Sequence, residues 1–398
     1  MTLALWLPRL DHLRSLGPVS DAARRRGWRV LALCPVGGPK ENAHRQRQAV
    51  SAALGGVPAA PVRGAGEALE GLEHVDACVA VGLVQADWLR QHVMPQSRRR
   101  GTAWVSVGYL QEELLQILTA GWQVLYEWDV ATTSTPEGVN WTAEQVAQRS
   151  GAAAGLLRRQ LLPIGVPAMD ALPGLDRAAC RVKYGLPKEG RVLLFVPAAN
   201  PHLMPRWRRW VFDGPLAWAA GPLGLTTYRR VGRTVWDYSR GHGAHVVIKT
   251  RAKNPDPPWL SGLGEVIGDR SWHPHTALEL AVAADAYCGF ASGMAIEATA
   301  AGLPQAHFFA WPPAASEHPA FLPWRKQTWL ADGPWSCPGV AKGVRLDRGP
   351  GGLEAWATSA WPKRPEPERC RQALTSITGP LDGKASERVL DAIERAIR

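Results

Sequence analysis

An α/β protein built on two doubly wound, Rossmann-like sheets is what this sequence predicts, and three observations carry the prediction. The chain opens as strand, loop, helix, strand: residues 3–7 are apolar, a helix spans roughly Pro18 to Arg26, and Trp28 to Pro35 reads as a second strand. The same kind of opening recurs at Arg191 to Pro197, a second apolar run with turn residues before it. Between the two, residues 161–170 carry the Pro and Gly punctuation of a connector. A chain of 398 residues is long for a single core, so two domains follow. They are placed at 1–165 and 166–380, with 381–398 as a closing amphipathic helix.

The first half continues in alternation. Residues 40–54 form a basic helix and 64–74 another. Val75 to Val81 is a strand, Ala86 to Val93 a helix, and Ser97 to Gly101 an exposed basic run. Thr102 to Gly108 is a strand, Tyr109 to Leu118 a helix, and Trp122 to Thr132 holds one more strand and a turn; 141–160 is helical. In the second half, 175–184 is a basic helix. His245 to Lys249 and Glu265 to Ile267 are strands, and Thr276 to Glu279 is a capping box that opens a helix through Ala284. Residues 311–365, rich in Trp, Pro and Gly, are expected to be irregular loops with one or two short strands, partly lining a cleft. Val389, Ile393 and Ile397 recur at helical spacing in the last segment.

Composition bounds the function. With 46% hydrophobic and 20% charged residues the chain has the make-up of a globular protein, and no apolar run is long enough to span a bilayer. The start of the chain lacks the basic region of a signal sequence, and six scattered cysteines make neither a disulfide framework nor a zinc site, so a reduced, cytoplasmic protein is expected. His273 and His275 have no third ligand nearby, and no metal site is assigned. The net charge of +11 calls for an anionic partner. Residues 201–240 interleave arginines with tryptophans. Three readings compete there: an acceptor-binding element, a segment lying on an anionic membrane surface, or helices whose arginines cover tryptophans. Nothing in the chain matches a nucleic-acid recognition motif.

The stretch from Asp285 to Pro304 holds the sharpest functional signal. An apolar strand, Ala286 to Phe290, breaks at Ser292-Gly293 and turns into a helix that stops at Gly302. A helix start offers backbone N–H groups and the positive end of the helix dipole to an anion. Glu297, one turn further in, is placed to hold a ribose diol. Lys249, Arg251 and Lys253 form a basic cluster after another strand, suited to a pyrophosphate. The plainer alternative is an ordinary strand–helix unit beside solvated lysines and arginines. In the first half, Asp11 and His12 lie after the first strand, at the edge where open α/β sheets bind ligands.

Three segments resemble the CDP-glycerol glycerophosphotransferase family within the GT-B glycosyltransferase superfamily. They are Ile164 to Asp170 with Lys183 to Pro197, then Ala284 to Pro304, then Asp382 to Val389. The resemblance implies two Rossmann-like domains facing across a cleft. It also implies a CDP- or UDP-linked donor held by Lys249, Arg251, Ser292, Gly293 and Glu297, and a glycan or lipid-linked acceptor on the N-terminal side. His12 or Asp11 would be the general base, a residue titrating near neutrality suiting that task. No cofactor and no metal are implied. Where the family shows a His-Gly pair this chain has Val107-Gly108, and its basic motif lacks the family's histidine. The donor turn is shared with UDP-N-acetylglucosamine 2-epimerases, and the missing histidines fit a non-catalytic glycan-binding protein.

Overall fold

The computed structural model describes residues 1–36, 46–108, 116–117, 120–148, 150–197, 227–250, 258–268, 276–290, 292–309, 339–346 and 352–398. The expected helix at Tyr109 to Leu118, the Trp/Arg run before residue 227, His273, His275 and most of 311–338 lie wholly or largely outside them.

The chain divides into two compact units. The first takes in Met1–Pro173 and Thr375–Arg398, the second Gly174–Arg270 and Thr276–Leu374. Each is built on one parallel sheet. In the first unit the strands are β1 (Thr2–Trp6), β2 (Arg29–Pro35), β3 (Ala59–Val62), β4 (Ala77–Val81), β5 (Ala103–Val107), β6 (Val130–Thr133) and β7 (Leu161–Pro163), in the order β3-β2-β1-β4-β5-β6-β7. In the second they are β8 (Arg191–Val196), β9 (Ala244–Lys249), β10 (Glu265–Ile267), β11 (Ala286–Phe290), β12 (Gln305–Phe309) and β13 (Ala341–Arg345), in the order β10-β9-β8-β11-β12-β13. Both sheets therefore start in the middle, build outward to one edge, then cross back and build to the other. That is the Rossmann order, written twice.

The first sheet is covered on both faces, as a parallel sheet must be. On one face α1 (Leu13–Arg25) packs Leu13, Leu16 and Val19 against Leu3, Leu5 and Val79. Helices α2 (Arg47–Ala53), α3 (Ala65–Gly71) and α4 (Met94–Arg99) follow in sequence. The expected exposed run at Ser97 to Gly101 is the end of α4, with Ser97 buried and bonded to the Trp104 indole at 2.8 Å. Trp6, Trp104 and Trp128 lie in the core of the second face, and Trp128 Nε1 donates to the Leu83 carbonyl at 3.0 Å. The long helix expected over 141–160 is two: α5 (Pro136–Ala147) and α6 (Gly151–Gln160). Thr135 and Ser150 cap them, each side chain accepting a backbone N–H three residues on.

Pro18 is not in the first turn of its helix. Helix α1 begins at Leu13, so Pro18 sits inside it. The gain from burying Leu13 and Leu16 outweighs the hydrogen bond that proline cannot make. Strands β3, β7 and β12 had no counterpart in the sequence reading. β3 carries Pro61 and lies at the sheet edge, where a missing N–H is tolerated.

In the second unit, α7 (Arg177–Lys183) leads into β8, and α8 (Tyr228–Gly241) into β9. Helices α9 (Thr276–Ala283) and α10 (Met294–Ala300) flank β11, α11 (Leu353–Ala357) follows β13, and α12 (Pro367–Thr378) ends the unit. Helix α13 (Ala385–Ile397) belongs to the first unit. Its Val389, Leu390 and Ile393 enter that unit's core, and Arg26 from the end of α1 bonds Glu387, Asp391 and Glu394 along it.

Arg181 locks the start of the second sheet. It is 4% exposed and all five of its N–H donors are used. They reach the carbonyls of Ala283, Pro187, Lys188 and Gly190 and the Asp285 carboxylate, the last at 2.8 Å. Asp285 in turn accepts the Val192 N–H at 2.9 Å, while its own N–H donates to the Val192 carbonyl. This fixes β8 beside β11. Glu279 does not close a capping box on its own helix end; it takes Lys183 and the Tyr184 hydroxyl instead. Replacing Arg181 by Met would leave four carbonyls and a carboxylate short of a donor. Chemical denaturation should show Arg181→Met less stable by about 3–5 kcal/mol, with the loss confined to the second unit.

Candidate functional site

In a doubly wound sheet, loops leaving the two central strands run in opposite directions and open a crevice at the strands' carboxyl ends. Each unit has one such point, between β1 and β4 in the first and between β8 and β11 in the second. Asp11 and His12 follow β1 at the first of these points, Ser292 and Gly293 follow β11 at the second, and Lys249 ends the neighbouring β9.

After β1 the chain makes a short helical turn, Leu10–His12, and enters α1. His12 is half-buried with Nδ1 turned into the protein. Asp11 is gripped by Arg9 in a two-point ion pair, 3.0 Å at Nε and 2.5 Å at Nη2. Across the same point, the loop after β4 is held by Gln116, whose Oε1 accepts the Leu83 and Val84 N–H groups at 2.6 and 3.2 Å. That clamp was not visible in the sequence, where Gln116 was one position in an expected helix. After β5 the Gly108 N–H donates to Thr132 Oγ1 at 3.1 Å.

In the second unit, Ser292 and Gly293 follow β11 directly. Register places Lys249 level with them to within a few residues. Phe195 pairs with both Ile248 and Cys288, so Lys249 stands beside Val196 and Gly289 at the carboxyl edge. Lys249 and Ser292 are 5% and 6% exposed and Glu297 is 2% exposed, so all three are buried, and Lys249 Nζ donates to the Thr250 carbonyl at 2.9 Å. Arg251 lies outside the described residues.

The helix start differs from expectation in one respect. The Met294 N–H donates to Ser292 Oγ at 3.3 Å, and those of Ala295 and Ile296 donate to the carbonyls of Ser292 and Gly293, both at 3.0 Å. The first turn is tight, and three donors expected to face a ligand are satisfied locally. Of that turn, Gly293 N–H has no acceptor among the described residues. Gly293 itself is in the ordinary right-handed helical region, and its value there is the absent side chain rather than an unusual backbone.

Behind the turn runs a buried polar chain. His307 Nε2 bonds Gln305 Oε1 at 2.9 Å, Gln305 Nε2 donates to Thr299 Oγ1 at 2.7 Å, and Thr299 donates to the Ala295 carbonyl at 2.8 Å. Since the Gln305 amide nitrogen faces Thr299, its oxygen faces His307, and His307 Nε2 carries the proton. The chain ties β12 to the helix that carries Glu297. The signal for it was the alternation of Gln305 and His307 with Ala306 and Phe308 after Pro304.

Among the described residues no group of three or more His, Cys, Asp or Glu is placed to hold a metal ion, and no helix is long and apolar enough to cross a membrane.

No protein-family model matches the chain, and no curated protein matches it by sequence. Solved structures do share its fold. The UDP-GlcNAc 2-epimerase of Neisseria meningitidis, bound to UDP-GlcNAc, aligns over 99% of this chain and 100% of its own, with 11% identity and a TM-score of 0.55. The S. aureus MnaA–UDP co-structure aligns over 99% and 96%, with 11% identity and a TM-score of 0.54. The wall teichoic acid polymerase TagF aligns over 100% of this chain and 89% of its own, with 11% identity and a TM-score of 0.57. These are GT-B fold proteins, and at such identities the likeness establishes the fold: two Rossmann-like domains of GT-B type.

Burial lowers the pKa of His307 from its ordinary value to about 3. Folded, it stays neutral far below the pH at which the unfolded chain's imidazole, near 6.5, takes up a proton. Its contribution is therefore complete above about pH 6.5 and is lost as the pH falls toward 3. Between about pH 6 and 4, unfolding free energies should fall for the native protein by about 1.4 kcal/mol per pH unit more than for His307→Gln, with no extra slope above about pH 6.5.

Proposed function

We propose that this protein is a nucleotide-dependent transferase of GT-B fold. It moves a sugar or a polyol phosphate from a CDP- or UDP-linked donor to a glycan or lipid-linked acceptor, in cell-surface polymer synthesis on the cytoplasmic side of the membrane. The observation that carries the reading is the coincidence of the Ser292-Gly293 turn and Lys249 at the topological switch point of the second sheet. There a diphosphate would meet the unused Gly293 N–H, the helix end and a fixed cation. Arg251 would add a second cation.

In this reading Glu297 orients the nucleoside end, and His12 accepts the proton of the acceptor hydroxyl as the nucleotide departs, as a diphosphate in sugar transfer or a monophosphate in polyol phosphate transfer. The negative charge that develops on the leaving group is met by Lys249 and the backbone, so no metal is required. A net charge of +11 favours both an anionic donor and an acceptor anchored in an anionic surface.

A sugar-nucleotide epimerase is the second reading. It is favoured by the full-length alignment with the meningococcal enzyme, where TagF exceeds the chain. The two readings separate on one point, since an epimerase turns over without an acceptor.

Thermal-shift measurements with CDP, UDP, GDP and ADP conjugates should show stabilisation by one nucleotide class. Lys249→Met should weaken that stabilisation about tenfold in ligand concentration, about 1.4 kcal/mol. His12→Ala should leave it intact while abolishing turnover, and turnover should persist in chelator. Stabilisation by none of the four would remove the proposal, and full turnover in His12→Ala would remove the base.

A further inference from the structure

The second sheet carries a recess at the end opposite to the predicted donor site. It holds about 230 Å³ and lies at the amino-terminal margin of β8, β11, β12 and β13. Its origin is a step in side-chain size. Toward the carboxyl edge this face is filled by Phe290 and Phe308. Toward the amino edge the same rows carry Ala286 and Ala306, and the space left is roofed by Tyr238, Trp356 and Pro362. Tyr238 and Trp356 are packed ring to ring, with centroids 4.3 Å apart, so the roof is firm.

The polar groups of Tyr238, Ser359 and Gln305 in the lining have partners already. The Tyr238 hydroxyl donates to the Ala360 carbonyl at 3.2 Å, and the Ser359 hydroxyl to the Trp356 carbonyl at 2.7 Å. The Gln305 amide is taken up by Thr299 and His307. Lys342 is the exception: its ammonium makes no ion pair or hydrogen bond with a described residue. Its position is also unusual. Lys342 pairs with Ala306, Ala306 with Cys288 and Cys288 with Phe195, so parity puts this lysine on the face that is otherwise apolar. An apolar chamber with one unanswered positive charge at its mouth selects a ligand with an apolar body and a single anionic head.

We propose that this recess is a binding site for a small apolar carboxylic acid, with Lys342 as the counter-charge. Size sets the body at about one ring, since a cavity of about 150 Å³ accepts benzene. The site is separate from the donor site: Ala286 and Ser292 stand at opposite ends of β11, about 20 Å apart along an extended chain. The inference is independent of the proposed reaction.

The test is a ligand-observed NMR titration of the full chain with benzoate and, as its neutral counterpart, benzyl alcohol. The native protein should bind benzoate at least fivefold more tightly than the alcohol. Lys342→Gln should abolish that preference while leaving the alcohol's affinity and the thermal midpoint unchanged. Ala286→Leu, which fills the chamber, should lose both ligands; Ala306→Leu provides the same test if the first variant does not fold. Equal benzoate affinity in native protein and Lys342→Gln would overturn the proposal, as would binding that survives filling the chamber. Absence of binding by the native protein would overturn it too, and would make Lys342 a charge that only protects the exposed edge strand from pairing.

Discussion

The carboxylate of Asp170 stands where the chain leaves the first unit and where it returns. Its two oxygens accept the N–H groups of Ala385 and Ser386, at 2.9 and 2.7 Å, so it caps α13 from 215 residues away in sequence. Arg388 bonds the Ile164 carbonyl at 3.1 Å beside it. Two glycines make the close approach feasible. Gly165 and Gly379 both have positive φ, +92° and +68°, and a side chain on Gly379 would come within 2.5 Å of the Ser134 carbonyl. Burial pushes the Asp170 pKa up, against the donors that pull it down, so this is a carboxylate taken from water to fasten one helix. Without it the Ala385 and Ser386 N–H groups at the start of α13 would lose their acceptor, beneath the Val389 and Ile393 that cover one face of the first sheet.

Outward from that fastening the two units repeat one scheme. In each, two central strands part company at their carboxyl ends, and the segments with chemical character follow one of them: Asp11 and His12 after β1, Ser292 and Gly293 after β11. The first unit stiffens its point with Gln116 beneath the loop after β4. The second does so from the far end, where Arg181 and Asp285 set β8 against β11, and from below, where His307, Gln305 and Thr299 brace α10. Rigid support beneath a loop is what lets a few side chains hold a ligand in one geometry.

Much of this was legible in the residues. β1, β2, β4, β5, β8, β9, β10 and β11 each show as an apolar run bounded by turn residues, and the closing helix shows by its spacing. Two of the stretches that suggested a family, 164–170 and 382–389, are physically joined by Asp170. What stayed hidden has physical causes. β3 is short, carries Pro61 and depends on its neighbour for definition. β7, three residues long, looks like the connector it borders. Pro18 misled because burial of α1 overrode a local preference. A sequence does not reveal that Ser292 Oγ accepts the Met294 N–H of its own turn. Arg181 could not be told from the other basic residues of its helix, since only folding brings four carbonyls around it.

Because the second unit is inserted between α6 with β7 and the helix that completes the first core, the order of synthesis and the order of completion are reversed. When the ribosome has made residue 173, the first sheet already has all its strands but lacks the Val389, Leu390 and Ile393 that seal one face. About two hundred further residues emerge before those arrive, over roughly ten to forty seconds. During that interval the nascent first unit carries an apolar strip awaiting its cover, and the domain that begins first is finished last.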